Sequence, residues 1–99
     1  MPTYLYRIEP TRLGMPTDPT PEEQSAVAAH FAYLKAAYDS GVVRYVGRTL
    51  DAPHLGLAVL EAADQDAATA FLTGDPAVEK GIFAGRVQPF SEVLPMRSR

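Results

Sequence analysis

Two residues of this 99-residue sequence, His30 and Asp75, combine proton-moving side chains with settings where such groups are unusual. His30 falls within a run in which Ala26, Val27, Phe31, Leu34, Ala37 and Tyr38 share one side at about 100° per residue, with Tyr33 at its margin. Imidazole, with an ordinary pKa of about 6.5, is the natural general acid or base near neutrality. On an apolar face it must find a hydrogen-bond partner, so the position equally suits a core histidine bonded to backbone. Asp75 sits in the turn Gly74-Asp75-Pro76. Aspartate before proline is the pattern of a helix cap, in which the carboxylate accepts backbone N–H groups. With two oxygens, one carboxylate can cap a helix and hold a ring nitrogen as well.

Other side chains have the chemistry for substrate contact. Tyr4, Tyr6 and Tyr33 can line a site for an aromatic molecule and offer a hydroxyl, or pack in the core with their tips satisfied. Arg7, Arg44, Arg48 and Arg86 fall in strand-like segments, where a guanidinium either grips an anion or pairs with a surface carboxylate. Tyr6, Tyr33 and Arg48 are taken as the substrate-binding candidates. His54, after Pro53 and near Asp51, reads as a turn residue, and the two histidines have no recognisable metal spacing. Neither a P-loop nor G-x-G-x-x-G is present, so no cofactor and no metal are expected. Ser25 lies about 140° around the helix from His30, and without G-x-S-x-G a serine nucleophile has little support. The absence of cysteine removes thiolate and disulfide chemistry.

The elements that must position these residues follow from punctuation and periodicity. TYLYRIE (3–9) is aromatic and β-branched, and reads as a strand. Residues 10–20 carry three prolines and a glycine, which predicts a loop that is either a cover for a site or mobile. Thr20, Pro21 and Glu23 make a capping box with proline at the first helical position, and Gly41 suits the residue just past the end, giving a helix over 21–40. Two strands, 42–48 and 54–62, then form a hairpin. Asp64 opens a second helix to about Leu72, with Ala67, Ala68, Phe71 and Leu72 as its buried stripe. Asp75 begins a short turn that Gly81 closes, and 82–93 is a last strand in which Pro89 demands an edge or a bulge.

The expectation is therefore α+β: a ferredoxin-like βαββαβ antiparallel sheet with two helices on one face. Both faces of the sheet read as apolar, and a second copy is the simplest cover for the bare one, giving a homodimer through the sheet face. Residues 1–95 read as one domain and 96–99 as a flexible basic tail. A net charge of −3 argues against nucleic acid. No apolar run is long enough to span a bilayer and no leader pattern opens the chain, so the reading is cytoplasmic with no membrane contact.

From His30 onward a longer pattern emerges. H-x3-L-x6-G-V (His30, Leu34, Gly41, Val42), Gly47, the apolar strand 57–60, D-P-x4-G (Asp75, Pro76, Gly81) and the closing R-V-x-P-F from Arg86 to Phe90 resemble the YciI-like, or YCII-related, domain. The likeness covers about two thirds of the chain and lies in the order of its parts. It implies a ferredoxin-like fold forming a dimeric α/β barrel, related to muconolactone isomerase folds, with a pocket between helices and sheet. It also implies a His–Asp active-site pair, which maps onto His30 and Asp75; one family member is a dehydrochlorinase. Gly47-Arg48 departs from the Gly-Pro of many members, as does the proline-rich loop. The expected function is proton transfer of the lyase, isomerase or dehydrochlorinase kind on a small cyclic or aromatic compound. The alternative is a non-catalytic dimer that binds a small molecule or serves as an accessory domain.

Overall fold

Strand alternation sorts the side chains between two faces. In the computed structural model, which describes residues 1–97, β1 (Thr3–Pro10) buries Tyr4, Tyr6 and Ile8 on one side and turns Leu5, Arg7 and Glu9 to the other. β2 (Val43–Arg48) and β3 (Gly56–Glu61) form the expected antiparallel hairpin, and β3 and β4 (Phe83–Phe90) flank β1. The order β2-β3-β1-β4, antiparallel throughout, is the ferredoxin-like sheet. β4 is an edge strand, which is why Pro89 is tolerated within it.

The helices pack on one face. α1 (Pro21–Asp39) opens on the capping box: the Glu23 N–H donates to Thr20 Oγ1 at 3.1 Å and the Thr20 N–H donates to Glu23 Oε1 at 2.8 Å. It ends where Gly41 takes φ 88°, letting the Val42 N–H reach the Ala37 carbonyl at 2.9 Å. α2 (Gln65–Thr73) is capped by Asp64, and α3 (Pro76–Glu79) is a third, short helix in place of the expected turn. Tyr4, Tyr6, Leu34, Leu60, Ala68 and Leu72 form one core between sheet and helices. The Cα radius of gyration, 13.5 Å, matches about 13 Å for a compact chain of this length. No helix among the described residues is long and apolar enough to cross a membrane.

Three expectations are corrected. Phe31 and Tyr38 are 66% and 52% exposed, and Ala67 is exposed, because a single layer beneath each helix covers a narrower stripe than periodicity suggests. On α1 the buried residues are Glu23, Ala26 and Leu34, with His30, Tyr33 and Ala37 partly buried beside them. The open face of the sheet is not bare. Val59, which pairs with Leu5 and Tyr45, is fully buried there, and the Arg44 Nε atom on β2 meets Glu92 Oε1 at 2.8 Å, tying the chain after β4 to the opposite edge. The proline-rich segment is anchored rather than loose: Met15 is buried, and Arg12 donates to Glu23 Oε1 at 2.6 Å, to Glu23 Oε2 at 3.0 Å and to the Asp18 carbonyl at 2.7 Å. Of the tail expected over 96–99, Ser98 and Arg99 lie outside the described residues.

Candidate active site

Gly74 ends α2 and the Asp75-Pro76 step starts α3, so the carboxylate of Asp75 is turned beneath α1 with no exposed surface. Its Oδ1 atom caps α3 by accepting from the Ala77 N–H at 3.0 Å. Oδ2 lies 2.6 Å from His30 Nδ1 and also accepts a hydrogen bond from the Tyr6 hydroxyl. The capping role and the ring-holding role, open alternatives in the sequence, are both filled by one carboxylate. Burial pushes the Asp75 carboxyl up, but the hydrogen bonds from His30 and Tyr6, the His30 charge and the Ala77 N–H outweigh it, leaving the group below its ordinary 3.8. Burial first, and then the bond to Asp75, drives the Tyr6 phenol far above its usual value, so it stays a donor.

His30 is held through one ring nitrogen and leaves the other free among the described residues. Nδ1 faces Asp75, and the ring meets Phe83 edge-on with centroids 5.1 Å apart. Its side chain is 13% exposed, and Nε2 makes no hydrogen bond to a described residue yet is not a buried orphan. Nε2 therefore opens onto solvent in a cleft of about 1090 Å³, slightly above the roughly 300–1,000 Å³ of ordinary small-molecule sites. The cleft lies between α1, the β2–β3 hairpin and the proline-rich segment, which contributes Met15, Pro16, Thr17 and Pro19. A more open hollow of about 690 Å³ near Met1, Pro89 and Pro95 lies away from the pair.

The other candidates divide. Arg48 is exposed and lines the cleft. Tyr6 lines it too, but it is 1% exposed with its hydroxyl committed to Asp75, so it supports the pair more than it meets a ligand. Tyr33 lies outside the cleft: its hydroxyl donates to the Phe71 carbonyl at 2.8 Å and its ring packs on Phe71 at 4.9 Å. Tyr4 is core, Arg44 pairs with Glu61 and Glu92, and Arg7 and Arg86 are exposed opposite each other on the open face. Sequence reasoning missed His54 and Phe31 as cleft residues. The signal for His54 was its place in the hairpin, two residues before Gly56, which pairs with Arg48. Among the described residues no group of three or more potential ligands forms a metal site.

Residues 5–91 match the family model described as the YCII-related domain. The fold is similar to a solved structure of 5-chloro-2-hydroxyhydroquinone dehydrochlorinase from Burkholderia phenoliruptrix AC1100 in complex with 2,5-dihydroxybenzoquinone. The TM-score is 0.70 at 21% identity, over 90% of this chain and 93% of that one. No curated protein matches the sequence.

Proposed function

The chain belongs to the YCII-related domain family, and from that premise we propose that it is a small-molecule enzyme in which His30 and Asp75 transfer a proton on a cyclic or aromatic compound. The observation that carries this reading is the His30 ring, fixed by Asp75 through Nδ1 while Nε2 opens into a large cleft. A carboxylate on Nδ1 sets the tautomer that leaves Nε2 as the base and stabilises the imidazolium once a proton is taken. Tyr6 and the Ala77 N–H fix the carboxylate in turn. Elimination of hydrogen chloride, the reaction named for the fold neighbour, is one such transfer: the base takes the proton and chloride leaves with its bonding pair. Isomerisation by the same base returns the proton at another carbon.

The unit of function is residues 1–95, and we place a second copy on the open sheet face. Half-buried Leu5, Tyr45 and Leu57 at its centre support that placement, as do the unpaired Arg7 and Arg86 among the described residues beside them.

The test is a panel of chlorinated and chlorine-free hydroxyhydroquinones, followed by chloride release and by deuterium uptake from heavy water. The wild type is expected to act on at least one member. His30→Gln and Asp75→Asn are expected to lose about a hundredfold or more of that rate. Turnover that survives His30→Gln would remove the assignment.

A further inference from the structure

Charge is unevenly spread around the cleft. The chain has 12 Asp and Glu against 9 Lys and Arg, yet no residue lining the cleft is acidic, while Arg48, His54 and His30 all line it. Arg48 makes no ion pair with a described residue, whereas Arg12, Lys35 and Arg44 each do. Asp51, the nearest acid in sequence, is exposed and outside the cleft. Asp75 lies below the floor, without exposure, its charge answered by Tyr6, His30 and the Ala77 N–H. The Arg48 guanidinium thus has no counter-charge among the described residues.

The hairpin holds that charge in place. Arg48 ends β2 opposite Gly56, where a Cβ would come within 2.9 Å of Ile8, so the position facing Arg48 is kept clear of a side chain. Around the turn, the Thr49 N–H donates to the Leu55 carbonyl at 2.9 Å, and Thr49 Oγ1 accepts from the Leu55 N–H at 2.9 Å and donates to the Pro53 carbonyl at 2.8 Å. These bonds close the turn between Arg48 and His54, both of which line the cleft. On the helix side Val27, Ala28, Phe31 and Leu34 give the cleft an apolar wall beside His30 and Gln24.

We infer that the cleft is a receptor for a planar anion, a ring bearing a carboxylate or an ionised hydroxyl, whose charge is held by Arg48 with His54 alongside. The inference deepens the functional reading and rests on it for the cleft as the site. A guanidinium offers a planar fork of donors to an oxyanion, which fixes orientation as well as position. With its charge at the hairpin and its ring against α1, such a ligand presents its remaining edge to His30 Nε2.

The experiment compares two probes of the same shape, 3-hydroxybenzoate and 3-hydroxybenzamide, by NMR titration of the intact protein. The acid is expected to bind about tenfold or more tightly than the amide. Arg48→Gln, at an exposed position, is expected to bring the two within about twofold, and Arg48→Lys to keep part of the preference because charge persists without the fork. Equal affinities in the wild type, no saturable binding of the acid, or a preference that survives Arg48→Gln would overturn the inference. The preference is a binding ratio read without turnover. Its absence would therefore leave proton transfer standing, and an inactive protein with the preference intact would overturn only the catalytic reading.

Discussion

At the scale of single residues, Asp75 joins stability to the candidate chemistry. Its carboxylate is depressed below 3.8, so the stability it supplies is fully present above that value and is lost as pH falls through the folded value. Tyr6→Phe removes one donor to the charged form and is expected to cost about 1.5–3 kcal/mol at neutral pH. Because the lost bond favours only the ionised carboxyl, that cost should shrink as the medium is acidified. Urea unfolding of both proteins at neutral and acidic pH checks it, and a cost independent of pH would show that Tyr6 merely fills space. The His30 and Asp75 residues were legible in the sequence as an ionisable ring on an apolar arc and a Gly-Asp-Pro turn. Their pairing was implied only by the family resemblance, since nothing local sets the distance between α1 and the start of α3. Alternation put Tyr4 and Tyr6 on one face of β1 but could not tell which face meets the helices or which tyrosine hydroxyl would meet the carboxylate, and Tyr33 went to Phe71 instead.

At the scale of elements, the segment between β1 and α1 walls the cleft, and Arg12 fastens it. The fork it makes with Glu23 holds the Glu23 carboxyl at about 2, the Arg12 hydrogen bonds contributing most and the Thr20 N–H next. In Arg12→Ala, Glu23 should titrate closer to its ordinary 4.5, and the amides of residues 11–19 should exchange faster with solvent. An NMR titration with hydrogen exchange checks both, and unchanged exchange would show that the segment is held by its own turns. Helix starts and stops were readable because caps are local: Thr20 with Glu23, Asp64, and Gly41 at positive φ. The Arg12–Glu23 link was not, because it joins a loop to a helix with no periodic relation between them. The width of the buried stripe on α1 also escaped the sequence, since periodicity gives direction but not how much lies beneath, and Phe31 went to the cleft.

At the scale of the whole molecule, the sheet topology was legible from the order of elements, while the use of its open face was not, because the segment carrying Glu92 crosses toward Arg44. If a second copy covers the rest, Leu5→Glu should shift the protein from dimer to monomer in sedimentation experiments, and an unchanged mass would place the contact elsewhere. The cleft lies on the helix side of that sheet. The most direct measurement is the rate of deuterium uptake or chloride release across the hydroxyhydroquinone panel for three proteins side by side. Wild type and Tyr33→Phe, whose hydroxyl meets only the Phe71 carbonyl among described residues, should match. His30→Gln should fall by about a hundredfold or more. A wild type that acts on no member, or a His30→Gln rate equal to the wild type's, would contradict the account.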